Sequence, residues 1–107
     1  MQMLLIVCNT PDQAIADQLA QALIERRHAA CVNVLPAVKS VYRWEGRIES
    51  AQEIPLLIKT SEDRYFDVEA TIRALHPYEV PEIIALPVSQ ALPAYQQWLL
   101  GETRLLV

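Results

Sequence analysis

The chain has 107 residues, 52% of them hydrophobic and 21% charged, with 2 glycines and a formal net charge of -4. That size fits one domain, 1–107, with enough apolar residues to fold, and the acidic balance leaves no basic stripe for nucleic-acid phosphates or an anionic membrane. With Gly46 and Gly101 as its only glycines it cannot write a Rossmann fingerprint or a P-loop, and half its residues are more apolar surface than so small a domain easily hides.

Met1 to Cys8 is apolar but lacks a basic leading segment and is too short for a signal peptide's hydrophobic stretch, so it predicts a strand. The longest apolar runs, Met3–Cys8 and Ile83–Val88, reach six residues, far below the ~20 that span a bilayer. A cytoplasmic protein with reduced Cys8 and Cys31 is the expectation. Thr10-Pro11-Asp12-Gln13 then provides a hydroxyl cap, a proline for the first helical position and a capping-box glutamine. Ile15, Leu19, Ala22 and Leu23 continue at helical spacing, with Arg26 and Arg27 near the end at about His28.

From Cys31 to Trp44 β-branched and aromatic residues recur, Glu45-Gly46 marks a turn, and a second strand runs from Arg47 to Thr60. Pro55 has no amide proton for a ladder and must sit at a bulge or an unpaired stretch. Thr60 or Ser61 caps a second helix through Tyr65, Val68, Ile72 and Leu75, which Pro77 stops. Ile83–Val88 reads as a further strand. A short helix over Pro93–Leu100 puts Tyr95, Trp98 and Leu99 on one face, with Gly101 as its cap.

The order predicts an α+β, ferredoxin-like βαββαβ sandwich: an antiparallel four-stranded sheet, two helices on one face, and a short C-terminal helix. Strands of roughly a dozen residues in the middle hairpin reach ~40 Å, against ~17 Å for Leu4–Cys8, so the hairpin should overhang the sheet. Its tip, Tyr42-Arg43-Trp44, then needs a neighbouring subunit to cover it, and its aromatic residues read as interface anchors with Arg43 available for an ion pair between subunits.

The runs Ala30-Cys31-Val32-Asn33, Val41-Tyr42-Arg43-Trp44-Glu45-Gly46, Leu57-Ile58-Lys59-Thr60 and His76-Pro77-Tyr78-Glu79-Val80-Pro81-Glu82-Ile83 stand in the order and spacing of the CutA divalent-cation tolerance proteins, and the chain resembles that family along nearly its whole length. The resemblance implies a ferredoxin-like subunit similar to the PII signalling proteins, a homotrimer built by strand pairing between subunits, and a role in copper tolerance and copper binding. It also implies metal ligation by Cys8, Cys31 and His76. A third family cysteine, on the second helix, has no counterpart here. A proline-following glycine of many members is Ala37, so the bend after Leu35-Pro36 should avoid a turn that needs positive φ there. The tail through Arg104-Leu105-Leu106-Val107 is more apolar than the family leads one to expect, which fits an extra strand or a ragged end.

Thiolate and imidazole suit Cu(I), and imidazole also suits Cu(II), which makes Cys8, Cys31, His28 and His76 the candidate ligands and copper the expected metal, with no other cofactor. No close-spaced ligand pair occurs, so a site must assemble from separate elements or subunits. Strand cysteines are more often small buried apolar residues than ligands, and a histidine ending a helix serves equally well against the helix carbonyls. Tyr78, Glu79 and Glu82 flank one turn and with Lys59 could line a cleft, although exposed pairs of this kind are common solvated surface. Catalysis finds no support: no nucleophile elbow is present, no base is assigned to either thiol, and the glycine-rich anion loop of acylphosphatases, which share the fold, is missing. The expected function is a non-enzymatic metal-ion response protein binding copper as a homotrimer. The alternatives are a PII-like module taking a small ligand or an unidentified protein partner in clefts between subunits, and a stable scaffold with incidental copper binding.

Overall fold

The computed structural model describes residues 1–104, and the apolar tail Leu105–Val107 lies outside them. Strand β1 (Met3–Thr10) leads to helix α1 (Gln13–Glu25), then β2 (Cys31–Val34), β3 (Val38–Trp44) and β4 (Arg47–Ser61). A 3-10 turn (Glu62–Arg64), helix α2 (Tyr65–Leu75), β5 (Ile84–Pro87) and helix α3 (Pro93–Glu102) complete the order. The sheet runs β2-β4-β1-β5, antiparallel throughout, with β3 paired to the far half of β4. The ferredoxin-like arrangement is therefore present, with five strands rather than four.

The extra strand comes from Leu35-Pro36-Ala37, which splits the expected Cys31–Trp44 strand in two. Val34 stands opposite Leu56 and Val38 opposite Glu53, so three residues face the two of Ile54-Pro55. Pro55, without an amide proton, falls in this gap, and its carbonyl accepts from the Leu35 amide at 2.9 Å. Ala37 keeps negative φ, as its side chain requires.

Alternation divides the sheet into two faces. Ile6 and Cys8 of β1 and Leu56 and Ile58 of β4 point to one side, where they meet Ala16, Leu19 and Leu23 of α1 and Val68 and Ile72 of α2 to form the core. Each of the large aliphatic side chains contributes roughly 1.5–3 kcal/mol by leaving water. The opposite face carries Leu5, Val7, Leu57, Ile84 and Leu86, which neither α1 nor α2 covers: Ile84 and Leu86 are 53% and 48% exposed.

Several helix ends differ from the expectation. Thr10 remains paired in β1, opposite Ile54, and its hydroxyl donates to the Ile54 carbonyl at 2.8 Å, so Asp12 caps α1 instead, its Oδ1 accepting from the Ile15 amide at 2.9 Å. The helix closes at Glu25, three residues before His28, because Arg27 turns to φ 58° and the His28 and Arg27 amides donate back to the Leu23 and Ile24 carbonyls. The Ser61 hydroxyl bonds the Asp63 carboxylate and starts the 3-10 turn, while the Thr60 hydroxyl donates to the His28 carbonyl. Gly101 lies inside α3, which ends at Thr103, where the hydroxyl meets Ser61 at 3.2 Å. Of the expected face of α3 only Leu99 is buried; Tyr95 and Trp98 stay 36% and 45% exposed.

The hairpin of β3 and the first half of β4 projects as expected, giving extents of 45 × 27 × 22 Å. Almost every residue on it is exposed. Glu45 (φ 50°) and Gly46 (φ 79°) close it as a two-residue turn of type I′ character.

Candidate functional site

The two cysteines lie on opposite faces of the sheet. Cys8 shares the helix-covered core with Ile6 and is fully buried. Burial first, and then the nearby Glu82 and Glu53 carboxylates, push its thiol up to about 12. Cys31 stands across from Lys59, itself across from Leu5, on the uncovered face, and is only half-buried. One strand's alternation explains the difference, since Cys8 pairs with the inward Leu56 and Cys31 with the outward Lys59.

His76 ends α2 in extended backbone and is buried. Its Nδ1 accepts the Tyr78 amide at 3.1 Å, which leaves Nε2 to donate to the Asn9 carbonyl at 2.8 Å. Both ring nitrogens are thus committed to backbone partners. His28 also turns inward: Nδ1 meets the Thr71 hydroxyl at 3.0 Å, and burial lowers its pKa. Cys8, Cys31 and His76 therefore do not converge within one chain, and among the described residues no three His, Cys, Asp or Glu side chains gather to hold a metal ion.

What His76 does instead is build a groove. Its bond to Asn9 ties the segment after α2 to the end of β1, and its ring packs on Tyr78 with centroids 4.7 Å apart. Tyr78 is thereby aimed at the root of the hairpin, where its hydroxyl donates to Glu53 Oε2 at 3.4 Å, while Asn9 Nδ2 donates to Glu82 Oε1 at 3.3 Å. Burial first, then Glu53 and Tyr42, raise the Tyr78 pKa. The result is an open groove of about 610 Å³ between the hairpin and residues 78–82, walled by Tyr42, Trp44 and Tyr78 and edged by Glu53, Glu79 and Glu82.

Tyr78, Glu79 and Glu82 line one groove, together with the hairpin residues Tyr42 and Trp44 that read as interface anchors, but Lys59 does not join them. It lies two registers further along β4 from Leu57 and borders a second hollow of about 520 Å³ with Leu5, Leu92 and Tyr95. Arg43 alternates with Tyr42 and Trp44 and so points to the other side of the hairpin. Glu53 was invisible to motif reading. Its signal in the sequence is a lone acid at the inner edge of an apolar run, Glu53-Ile54-Pro55-Leu56, where a solvated position would not be expected to reach 8% exposure.

Residues 4–102 match the family model of the CutA1 divalent ion tolerance protein. The divalent-cation tolerance protein CutA of Thermus thermophilus is 41% identical over 92% of this chain and 95% of its own length. Protein CutA of Homo sapiens is 43% identical over 82% of this chain, which spans about half of that longer protein. Among solved structures, CutA from Xylella fastidiosa superposes with a TM-score of 0.94 at 42% identity, covering 97% of this chain and all of that one. The match runs from β1 through α3 and takes in the His76 latch, the hairpin and both cysteine positions, so the chain belongs to the CutA1 divalent ion tolerance family.

Proposed function

We propose that the protein serves metal-ion tolerance in the cytoplasm as a non-enzymatic, copper-binding homotrimer in which Cys31, rather than Cys8, meets the metal. The observation that carries this reading is the placement of the thiols: Cys8 is sealed in the core with its pKa near 12, whereas Cys31 stands on the uncovered apolar face of the sheet. That face and the exposed hairpin, with Val41 at 64% and Ile48 at 72% exposure, are the surfaces further copies would cover. One thiol per chain is too few donors for a metal site, so copper bound through Cys31 would be shared between copies, where soft thiolates favour Cu(I). A catalytic role draws no support from Cys8, whose buried thiol is held protonated, and both histidines spend Nδ1 on internal partners.

Titration of the reduced protein with Cu(I) against a competing chelator tests the reading. Cys31→Ser should abolish binding and Cys8→Ser should preserve it. Affinity weaker than micromolar, or binding that survives Cys31→Ser, removes the copper role, and a folded monomer by sedimentation at micromolar concentration removes the trimer.

A further inference from the structure

His28 joins three elements by its own bonds. Its amide donates to the Leu23 carbonyl of α1 at 2.9 Å, its carbonyl accepts from the Thr60 hydroxyl of β4 at 2.6 Å, and its Nδ1 meets the Thr71 hydroxyl of α2 at 3.0 Å. The chain enters this junction through Arg27, whose φ of 58° is a conformation that persists only where its surroundings hold it. It leaves through Ala29 and Ala30, whose amides donate to the Leu23 and Lys59 carbonyls, and runs directly into Cys31 and β2.

The Thr71 hydroxyl fixes which nitrogen carries the imidazole proton. Thr71 is 3% exposed and its oxygen accepts from Arg26 Nη1 at 3.4 Å, so its proton needs an acceptor, and among the described residues His28 Nδ1 is the one it has. A neutral ring with its proton on Nε2 suits this chain of bonds. A second proton, on Nδ1, reverses it. The buried hydroxyl then loses its acceptor, and a further positive charge arises beside Arg26 at the end of α1 and Arg64 of the 3-10 turn, with Asp67 of α2 to oppose them. The neighbouring Arg27 and Glu102 of α3 face each other instead, at 3.8 Å. Burial first, with Arg26 and Arg64 and against Asp67, accordingly lowers the pKa of the ring.

We propose that the His28 junction is an acid-sensitive latch: with the imidazole neutral it holds the end of α1 to α2 and β4, and with the imidazole protonated the Thr71 bond is given up and residues 26–30 loosen ahead of Cys31. The latch stands independently of copper binding.

Amide hydrogen exchange of the full-length, assembled protein, with each rate divided by its intrinsic chemical rate, tests it at about pH 7.5 and about pH 4.5. Protection of residues 26–30 should fall at least about tenfold in acid, while that of Ile6 and Ile58 in the sheet core is kept. His28→Gln, whose side-chain oxygen accepts from Thr71 at either pH, should keep the protection in acid. Thr71→Val, which lacks the hydroxyl, should show low protection at both pH values, and Thr71→Ser, which retains it, should behave like the native protein. Protection that does not change with pH in the native protein overturns the proposal. So does a loss in acid that persists in His28→Gln, which assigns the effect to another group, or a loss shared equally by the sheet core, which is general acid unfolding.

Discussion

Arg27 shows how a single position departs from its residue type. At φ 58° it occupies the left-handed region that closes α1, a conformation glycine adopts freely and a residue with a Cβ does not. Its guanidinium reaches the Glu102 carbonyl at 3.1 Å, so Arg27→Gly alone would mix two effects. The comparison of Arg27→Gly with Arg27→Ala isolates the backbone: the glycine protein should be the more stable by about 1 kcal/mol in urea unfolding. Cys8 gives a second prediction. Its folded-state pKa is raised from the ordinary 9.0 to about 12, so above pH 9 the unfolded chain releases a proton that the folded chain keeps. Stability from this group is intact below pH 9 and is lost between 9 and 12, at a slope approaching about 1.4 kcal/mol per pH unit. Subtracting the pH profile of Cys8→Ala from that of the native protein should leave that falling limb, and a flat difference contradicts it. His28 works in the opposite direction. Burial depresses its pKa below 6.5, so its contribution is present above that pH and declines as pH falls from there toward the lower folded-state value. His28→Gln should flatten that part of the acid profile.

At the scale of elements, the hairpin and the segment after α2 matter most, because together they make the groove. The hairpin hangs on a two-residue turn in which both Glu45 and Gly46 have positive φ, the geometry that suits the strands' right-handed twist. A Cβ at Gly46 meets nothing within 4 Å, so Gly46→Ala is penalised by backbone conformation alone. It should lower stability by about 1 kcal/mol, and Glu45→Asn should raise it, both measurable by thermal unfolding. The strands themselves were legible from β-branched and aromatic residues, and the turn from Glu45-Gly46. A bend after Leu35-Pro36 came with the family resemblance, but that it divides the strand in two was not legible, because this depends on where β4 changes partner from β2 to β3, a long-range event that leaves no local period. Helix ends were misplaced for a similar reason: Thr10 is a good cap by type, but strand pairing to Ile54 claims its hydroxyl first.

At the scale of the whole molecule, the apolar excess of a 107-residue chain resolves into two places, the uncovered sheet face and the projecting hairpin. If further copies cover that face, Leu86→Asp, which places a charge among Leu5, Val7 and Ile84, should dissociate the assembly while circular dichroism retains the secondary structure; an unchanged sedimentation coefficient would locate the interface elsewhere. The sequence by itself determined the fold class, the order of elements, the hairpin and the family, because alternation, helical spacing and turn residues are local properties, and runs such as His76–Ile83 carry the resemblance directly. It also grouped Tyr78, Glu79 and Glu82 at one cleft, while it read Tyr42 and Trp44 as interface anchors and not as part of that cleft. Only the tertiary structure decided which of two similar cysteines is reachable, that His76 spends both nitrogens on the backbone, and that Glu53 rather than Lys59 completes the cleft. Each of those is a question of which face of a strand meets which neighbour, and a shift of one residue in register reverses the answer.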